Sequence, residues 1–215
     1  MKNINAVIKG RLMYAKINKP VKPYNDENGT PEFSFTLLIP KNDTETLKTI
    51  KEAINKTIEQ GLANGVITKK QVESKSFHLP LNDGDEREDS GEIYKGMYYI
   101  RVKRKIKQDE EITDAEVPSV VVKENGKCRL AEKGEVYNGC YVFASINFWI
   151  YNKQAYGISC SYDSICKYSD GEPIENRVNV EETYSNYETI SNNKVFKEDE
   201  NLSDGSLPDE PVFPF

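Results

Sequence analysis

Histidine and tryptophan occur once each in 215 residues, as His78 and Trp149, and the four cysteines (Cys128, Cys140, Cys160, Cys166) form no Cys-x-x-Cys pair. With the one imidazole far in sequence from every thiol, a zinc centre has little to build on. Reduced, mostly buried thiols and no cofactor are the expectation. No stretch approaches the ~20 apolar residues of a membrane span, and the N-terminus lacks the apolar run of a secretory signal. A soluble, intracellular protein with no membrane partner is therefore expected.

Positive charge is nearly absent from the last part of the chain. From Glu181 onward there are nine acids against two bases, whereas Met1 to Val180 holds 27 bases and 26 acids. The net charge of −6 is thus a property of the C-terminal segment, and the acidic average hides a near-neutral, locally basic body. That segment has no usable hydrophobic period and ends Leu207-Pro208-Asp209-Glu210-Pro211-Val212-Phe213-Pro214-Phe215. Two units follow: a folded domain over 1–180 and a disordered acidic tail over 181–215. Asp209 and Glu210 can mimic phosphate and Phe213 and Phe215 can fill a partner's pocket; the alternative is a solubilising tail.

The body reads as mainly β with one helix. Gly10 to Ile17 forms a strand, Pro20, Pro23, Asn28-Gly29 and Pro31 punctuate a loop, and Phe33 to Ile39 returns antiparallel. Asp43 or Thr44 can cap a helix whose Leu47, Ile50, Ile54, Ile58 and Leu62 follow helical spacing. The loop Leu79 to Gly91 concentrates Asp83, Asp85, Glu86, Glu88 and Asp89 without calcium-loop spacing, and is read as a structural turn.

Gly96 to Lys107 is the most informative strand. Alternation places Tyr99, Arg101, Lys103, Lys105 and Lys107 on one face and Tyr98, Ile100, Val102 and Ile106 on the other. A ring leading a row of cations suits a groove that tracks phosphates and stacks a base; a lysine-protected edge strand is the competing reading. In Cys140 to Tyr151 the even positions are apolar, while Tyr141, Phe143, Ser145, Asn147, Trp149 and Tyr151 mix rings with small polar groups, as a base-binding surface does. A two-residue turn at Asn152-Lys153 would set Tyr156 opposite Trp149 on that face. It would also lay Ala155, Gly157, Ser159 and Ser161 against the apolar row.

Tyr14 and its loop, Phe33 to Pro40 running into Lys41, Pro80 to Asp85, Tyr94-Lys95-Gly96 and Tyr137-Asn138-Gly139 together resemble the tailed-phage single-stranded DNA-binding proteins, in order over most of Met1 to Pro173. The resemblance implies an OB-fold, a five-stranded Greek-key barrel with an added helix and hairpins. It also implies a non-enzymatic protein that coats DNA during replication and recombination in the bacterial host's cytoplasm. The residues expected to bind single-stranded DNA, inferred from chemistry, are Arg11, Tyr14, Lys16, Tyr99, Arg101, Lys103, Arg104, Lys105, Lys107, Trp149, Tyr151 and Tyr156. Replication or recombination proteins would dock on the tail through Asp209, Glu210, Phe213 and Phe215. Duplex DNA binding and a homodimer stay open. The rival readings are an acidic DNA mimic or adaptor that binds a host protein, and a metal-dependent nuclease built on the Asp83 to Asp89 carboxylates.

Overall fold

The computed structural model describes residues 3–22, 29–87, 92–106 and 117–174. Lys107 and the four tail residues Asp209, Glu210, Phe213 and Phe215 lie outside them, as do Glu88 and Asp89. The described residues fall in one compact unit, 1–175.

Strands β1 (Ile4–Val21), β2 (Glu32–Pro40), β3 (Phe77–His78), β4 (Leu81–Asp83), β5 (Met97–Lys105), β6 (Ser119–Glu124), β7 (Lys127–Leu130), β8 (Tyr141–Asn152) and β9 (Tyr156–Ser169) form one sheet, with helices α1 (Thr44–Ala63) and α2 (Lys69–Val72). The ladder runs β4-β5-β2-β1-β8-β9-β6-β7, with β3 paired parallel to β9. Within it, β5-β2-β1-β8-β9 is the five-strand order of an OB barrel, and β4, β6 and β7 extend the ladder. The ladder is open between β5 and β9, where the Arg104 side chain reaches across and donates to the Tyr162 carbonyl at 3.0 Å.

Alternation dictates the core. On β8, Val142, Ala144, Ile146 and Phe148 are fully buried, as expected from the even positions. They meet Ile8 and Leu12 of β1, Leu37 of β2, Ile100 and Val102 of β5 and Ile158 and Tyr162 of β9. Each such aliphatic side chain withdrawn from water contributes about 1.5–3 kcal/mol.

Helix α1 closes one side of this core. Asp43 is its cap: the carboxylate accepts from the Thr46 amide (3.2 Å) and hydroxyl (2.9 Å), satisfying a first-turn donor. Leu47, Ile50 and Ile54 are buried on its inner stripe, and Gly61 lets the last turn approach Ile150 of β8 more closely than a Cβ would permit. His78, the one imidazole, lies in β3 beside Gly157, whose missing Cβ admits the His78 backbone. The backbone packs there, while the imidazole is exposed. Cys140 and Cys160 are buried thiols, with burial pushing both pKa values up, whereas Cys166 is half-buried and Cys128 is exposed.

Candidate nucleic-acid interface

The site begins with a one-residue irregularity in β1. Ile8 and Leu12 point inward and Val7, Lys9 and Arg11 outward, until Tyr14 adopts φ +50 and the β1–β2 register shifts between Met13 and Lys16. Left-handed backbone is rare for a non-glycine residue and marks a bulge. Beyond it the phase reverses: Ile17 is buried, and Tyr14 and Lys16 are exposed on the outer face.

On the neighbouring strands the register sets Met13 opposite Thr36 and Thr36 opposite Arg101, then Lys16 opposite Ser34 and Ser34 opposite Lys103. The result is a groove of about 260 Å³ across β1, β2 and β5, lined by Tyr14, Lys16, Glu32, Ser34, Arg101 and Lys103 among others. Tyr14 is 48 % exposed, so its ring is available to a ligand. Lys105 is exposed further along the same face, opposite Glu32 in register. Four of the expected residues, Tyr14, Lys16, Arg101 and Lys103, therefore meet in one concavity.

Three expected residues on or near this face are corrected. Tyr99 has the predicted parity, but it is 9 % exposed in a small second core with Met13, Leu38 and Tyr94. Its ring meets Tyr94 edge-on at 5.2 Å, because a 3₁₀ turn at Glu92–Tyr94 covers that end of the sheet. A ring so enclosed cannot stack on a base. Arg11 is spent on backbone, donating to the carbonyls of Gly139 (3.1 Å) and Glu172 (2.7 Å). Arg104 has the opposite parity to Arg101 and Lys103, and it pairs with Asp163 at 3.2 Å beside the Tyr162 carbonyl.

Sequence reasoning missed the cation and ring that back the groove. The Arg87 guanidinium lies 4.6 Å from the Tyr94 ring centre and 6.0 Å from that of Tyr99. Arg101 sits 5.6 Å from the same Tyr99 ring. Burial pushes the Tyr94 hydroxyl pKa up. Tyr94-Lys95-Gly96 was visible as a strand entry, but nothing local tells that its ring would fold over Tyr99.

A second aromatic station lies on β8. Trp149 is 37 % exposed and its ring centre is 6.2 Å from that of the half-buried Tyr151, as expected for the odd-numbered face. Tyr156 does not join them. The hairpin closes through three residues, Lys153 to Ala155, so Asn152 faces Tyr156 and Trp149 faces Ser159. Tyr156 instead sits 6.3 Å from Phe77 and donates to Ser74 Oγ at 3.2 Å. The same shift sets Gly157, Ser159 and Ser161 beside the rings, and gives the apolar row Ile158, Cys160 and Tyr162 as partners. Phe148 pairs with Ile4 at the start of β1, so ten residues of strand, roughly 33 Å, separate this station from Tyr14.

Between the two stations, Phe143 and Tyr168 stack at 4.4 Å with Tyr141 6.4 Å from Tyr168. Tyr168 reaches them through the irregularity between the Tyr141 and Val142 pairings, a feature alternation alone does not reveal.

The described part of the acidic loop, 79–87, is held as a turn around Lys41. Lys41 donates to Asp83 (2.7 Å) and Asp85 (2.8 Å), Asp83 also accepts from the Asp85 amide, and Asp85 from the Gly96 amide at 2.7 Å. The Lys41 ammonium and these amides hold both carboxyls below their usual range, and the two carboxylates in turn raise the Lys41 pKa. Both carboxylates are engaged, and among the described residues no three His, Cys, Asp or Glu side chains are grouped to hold a metal ion.

The family model described as "Enterobacter phage Enc34, ssDNA-binding protein" matches residues 4–195. Protein p50 of Acyrthosiphon pisum secondary endosymbiont phage 1 is 26 % identical over 164 residues, 75 % of this chain and 81 % of that one. The solved structure of the bacteriophage Enc34 single-stranded DNA-binding protein with a C-terminal truncation superposes with a TM-score of 0.58 at 26 % identity, covering 80 % of this chain and 88 % of that one. The same phage's protein in complex with ssDNA gives 0.58 at 23 % identity, covering 80 % and 90 %, a likeness of fold.

Proposed function

Because the chain belongs to the family of the Enterobacter phage Enc34 ssDNA-binding protein, we propose that it coats single-stranded DNA without regard to sequence, through the groove that exposes Tyr14, Lys16 and Arg101 and that Lys103 also lines, with Lys105 beyond it and Trp149 and Tyr151 as a second stacking station. The observation that carries this reading is the meeting of an exposed ring with three cations in one groove across β1, β2 and β5. Cations meet successive phosphates, while a ring stacks on any base for about 1–3 kcal/mol, so affinity should be salt-dependent and sequence-tolerant. The role is stoichiometric protection of DNA in phage replication, recombination or repair, in the host cytoplasm, and no catalytic step is assigned to any residue.

In the same reading, the acidic tail beginning near 181 competes with DNA for the cationic face and offers Asp209, Glu210, Phe213 and Phe215 to replication proteins. Its support is the charge contrast between tail and body. Lys107, next in the alternation after Lys105, is proposed to extend the cationic row.

The test is titration of the full-length protein with a labelled single-stranded oligonucleotide at several salt concentrations, reading probe anisotropy and quenching of the sole tryptophan. Tight, salt-sensitive binding with quenching is expected. A folded protein that fails to bind at low salt would refute the assignment and favour a protein-directed adaptor. Deleting 201–215 should tighten DNA binding; unchanged affinity and unchanged partner capture would leave the tail a solubilising segment.

A further inference from the structure

The groove contains a carboxylate that a phosphate-binding surface would not be expected to bury. Glu32 opens β2 on the same outer face as Ser34 and Thr36, is 5 % exposed, and lines the groove with Tyr14, Lys16, Arg101 and Lys103. Its Oε1 lies 2.8 Å from Lys103 Nζ, although the Lys103 side chain itself remains half exposed. Lys16 and Arg101 also line the groove, Lys105 stands opposite Glu32 in the β2–β5 register, and Val21, which precedes Lys22, stands opposite it in the β1–β2 register.

We infer that Glu32 is a positioning residue that withholds Lys103 from phosphate, so that the DNA backbone is neutralised by Lys16, Arg101 and Lys105 while the Lys103–Glu32 pair remains closed beneath it. This deepens the proposed DNA-binding role and rests on it. The physical reason is an exchange that runs uphill. For Lys103 to meet a phosphate, Glu32 must give up the ammonium it holds, and a buried carboxylate without its counter-charge is strongly unfavourable. An incoming phosphate would also bring a second negative charge beside it. A solvated phosphate contact returns less than this exchange costs, because its main yield is the release of a condensed counterion. Lys16, Arg101 and Lys105 are exposed cations on the same face and face no such exchange.

The prediction concerns the salt dependence of binding, which counts neutralised phosphates at about 0.7 per contact on a single strand. Binding of the full-length protein to a labelled oligothymidylate would be measured by anisotropy across a tenfold range of NaCl. Glu32→Gln frees Lys103 and should steepen the slope of log K against log salt by about 0.7, an extra fivefold tightening over that range. Glu32→Asp, which keeps the charge, should retain the original slope. The Glu32→Gln, Lys103→Gln double variant, which removes both charges of the pair together, should return the slope to that of the unmutated protein. A double variant whose slope falls about 0.7 below that of the unmutated protein would overturn the inference, as would a folded Glu32→Gln protein with an unaltered slope. Should Glu32→Gln alone fail to fold in a melting experiment, the double variant still decides. Failure of the DNA-binding reading looks different: the unmutated protein would bind no oligonucleotide at all, and the inference would fall with it.

Discussion

Replacing Tyr14 by asparagine separates what this residue does for the fold from what it does for DNA. Asparagine tolerates the left-handed conformation that the bulge requires, so the φ of +50 is kept at lower cost than the tyrosine incurs. The ring is half exposed, so its loss removes on the order of 100 Å² of buried surface, about 2.5 kcal/mol at 25 cal/mol per Å². Relief at the backbone offsets about 1 kcal/mol of that. A net loss of about 1–2 kcal/mol leaves a domain with ordinary reserves of about 5–15 kcal/mol folded. On DNA the loss is one stacking contact, about 1–3 kcal/mol, or roughly 5- to 150-fold in Kd. Stacking releases no counterion, so the salt slope should not change. Anisotropy titration alongside a thermal melt gives all three quantities. A folded Tyr14→Asn protein with affinity within twofold of the original would show that the groove's ring is not a base platform.

Tyr156→Leu should leave DNA affinity unchanged while lowering Tm, because that ring packs on Phe77 away from Trp149; weakened binding in a folded variant would return it to the interface. Trp149→Ala should weaken binding with the body intact by circular dichroism, and normal binding would remove the β8 station from the DNA path. Phe148→Ala, at a fully buried position facing the core, should destabilise by about 3–5 kcal/mol, read as a fall in denaturant midpoint at unchanged m. Glu135 is held down to about 2 by hydrogen bonding from Arg129, so this pair's stabilisation is present above the ordinary glutamate range near 4.5 and is lost as pH falls from there towards 2. Arg129→Gln should raise the Glu135 titration midpoint by NMR, short of the ordinary value because the Glu132 amide still donates to that carboxylate, and an unmoved midpoint would refute the pairing.

What could be read in advance followed from period and parity. Alternation through Cys140 to Tyr151 gave the inward row of β8 correctly, and the Asp43 cap with its Leu47-Ile50-Ile54 stripe gave the helix, since both signals are local. The same parity set Arg101, Lys103 and Lys105 outward. Parity says which side of a sheet a residue takes, however, and not what else lies there. Tyr99 is on the expected side and is still buried, because the Glu92–Tyr94 turn and the segment carrying Ile174 close over it. Tyr156 was misplaced by turn length: three loop residues in place of two exchange the faces of the whole return strand. Glu32 carried no signal as a lone acid before an apolar run, since its burial depends on Lys103 arriving from a strand some seventy residues on.

The left-handed residue in β1 makes the faces beyond it depend on one backbone conformation. Three residues of β1 advance against two of β2 between the Met13–Thr36 and Lys16–Ser34 pairings, and that extra residue brings Lys16 outward and Ile17 inward. Flattening Tyr14 into extended backbone at unchanged length would send Lys16 towards the core and Ile17 into water. Deleting Tyr14 would join Met13 directly to Ala15 and keep both residues on their present faces, so the shortened strand should fold while lacking the bulge and its ring.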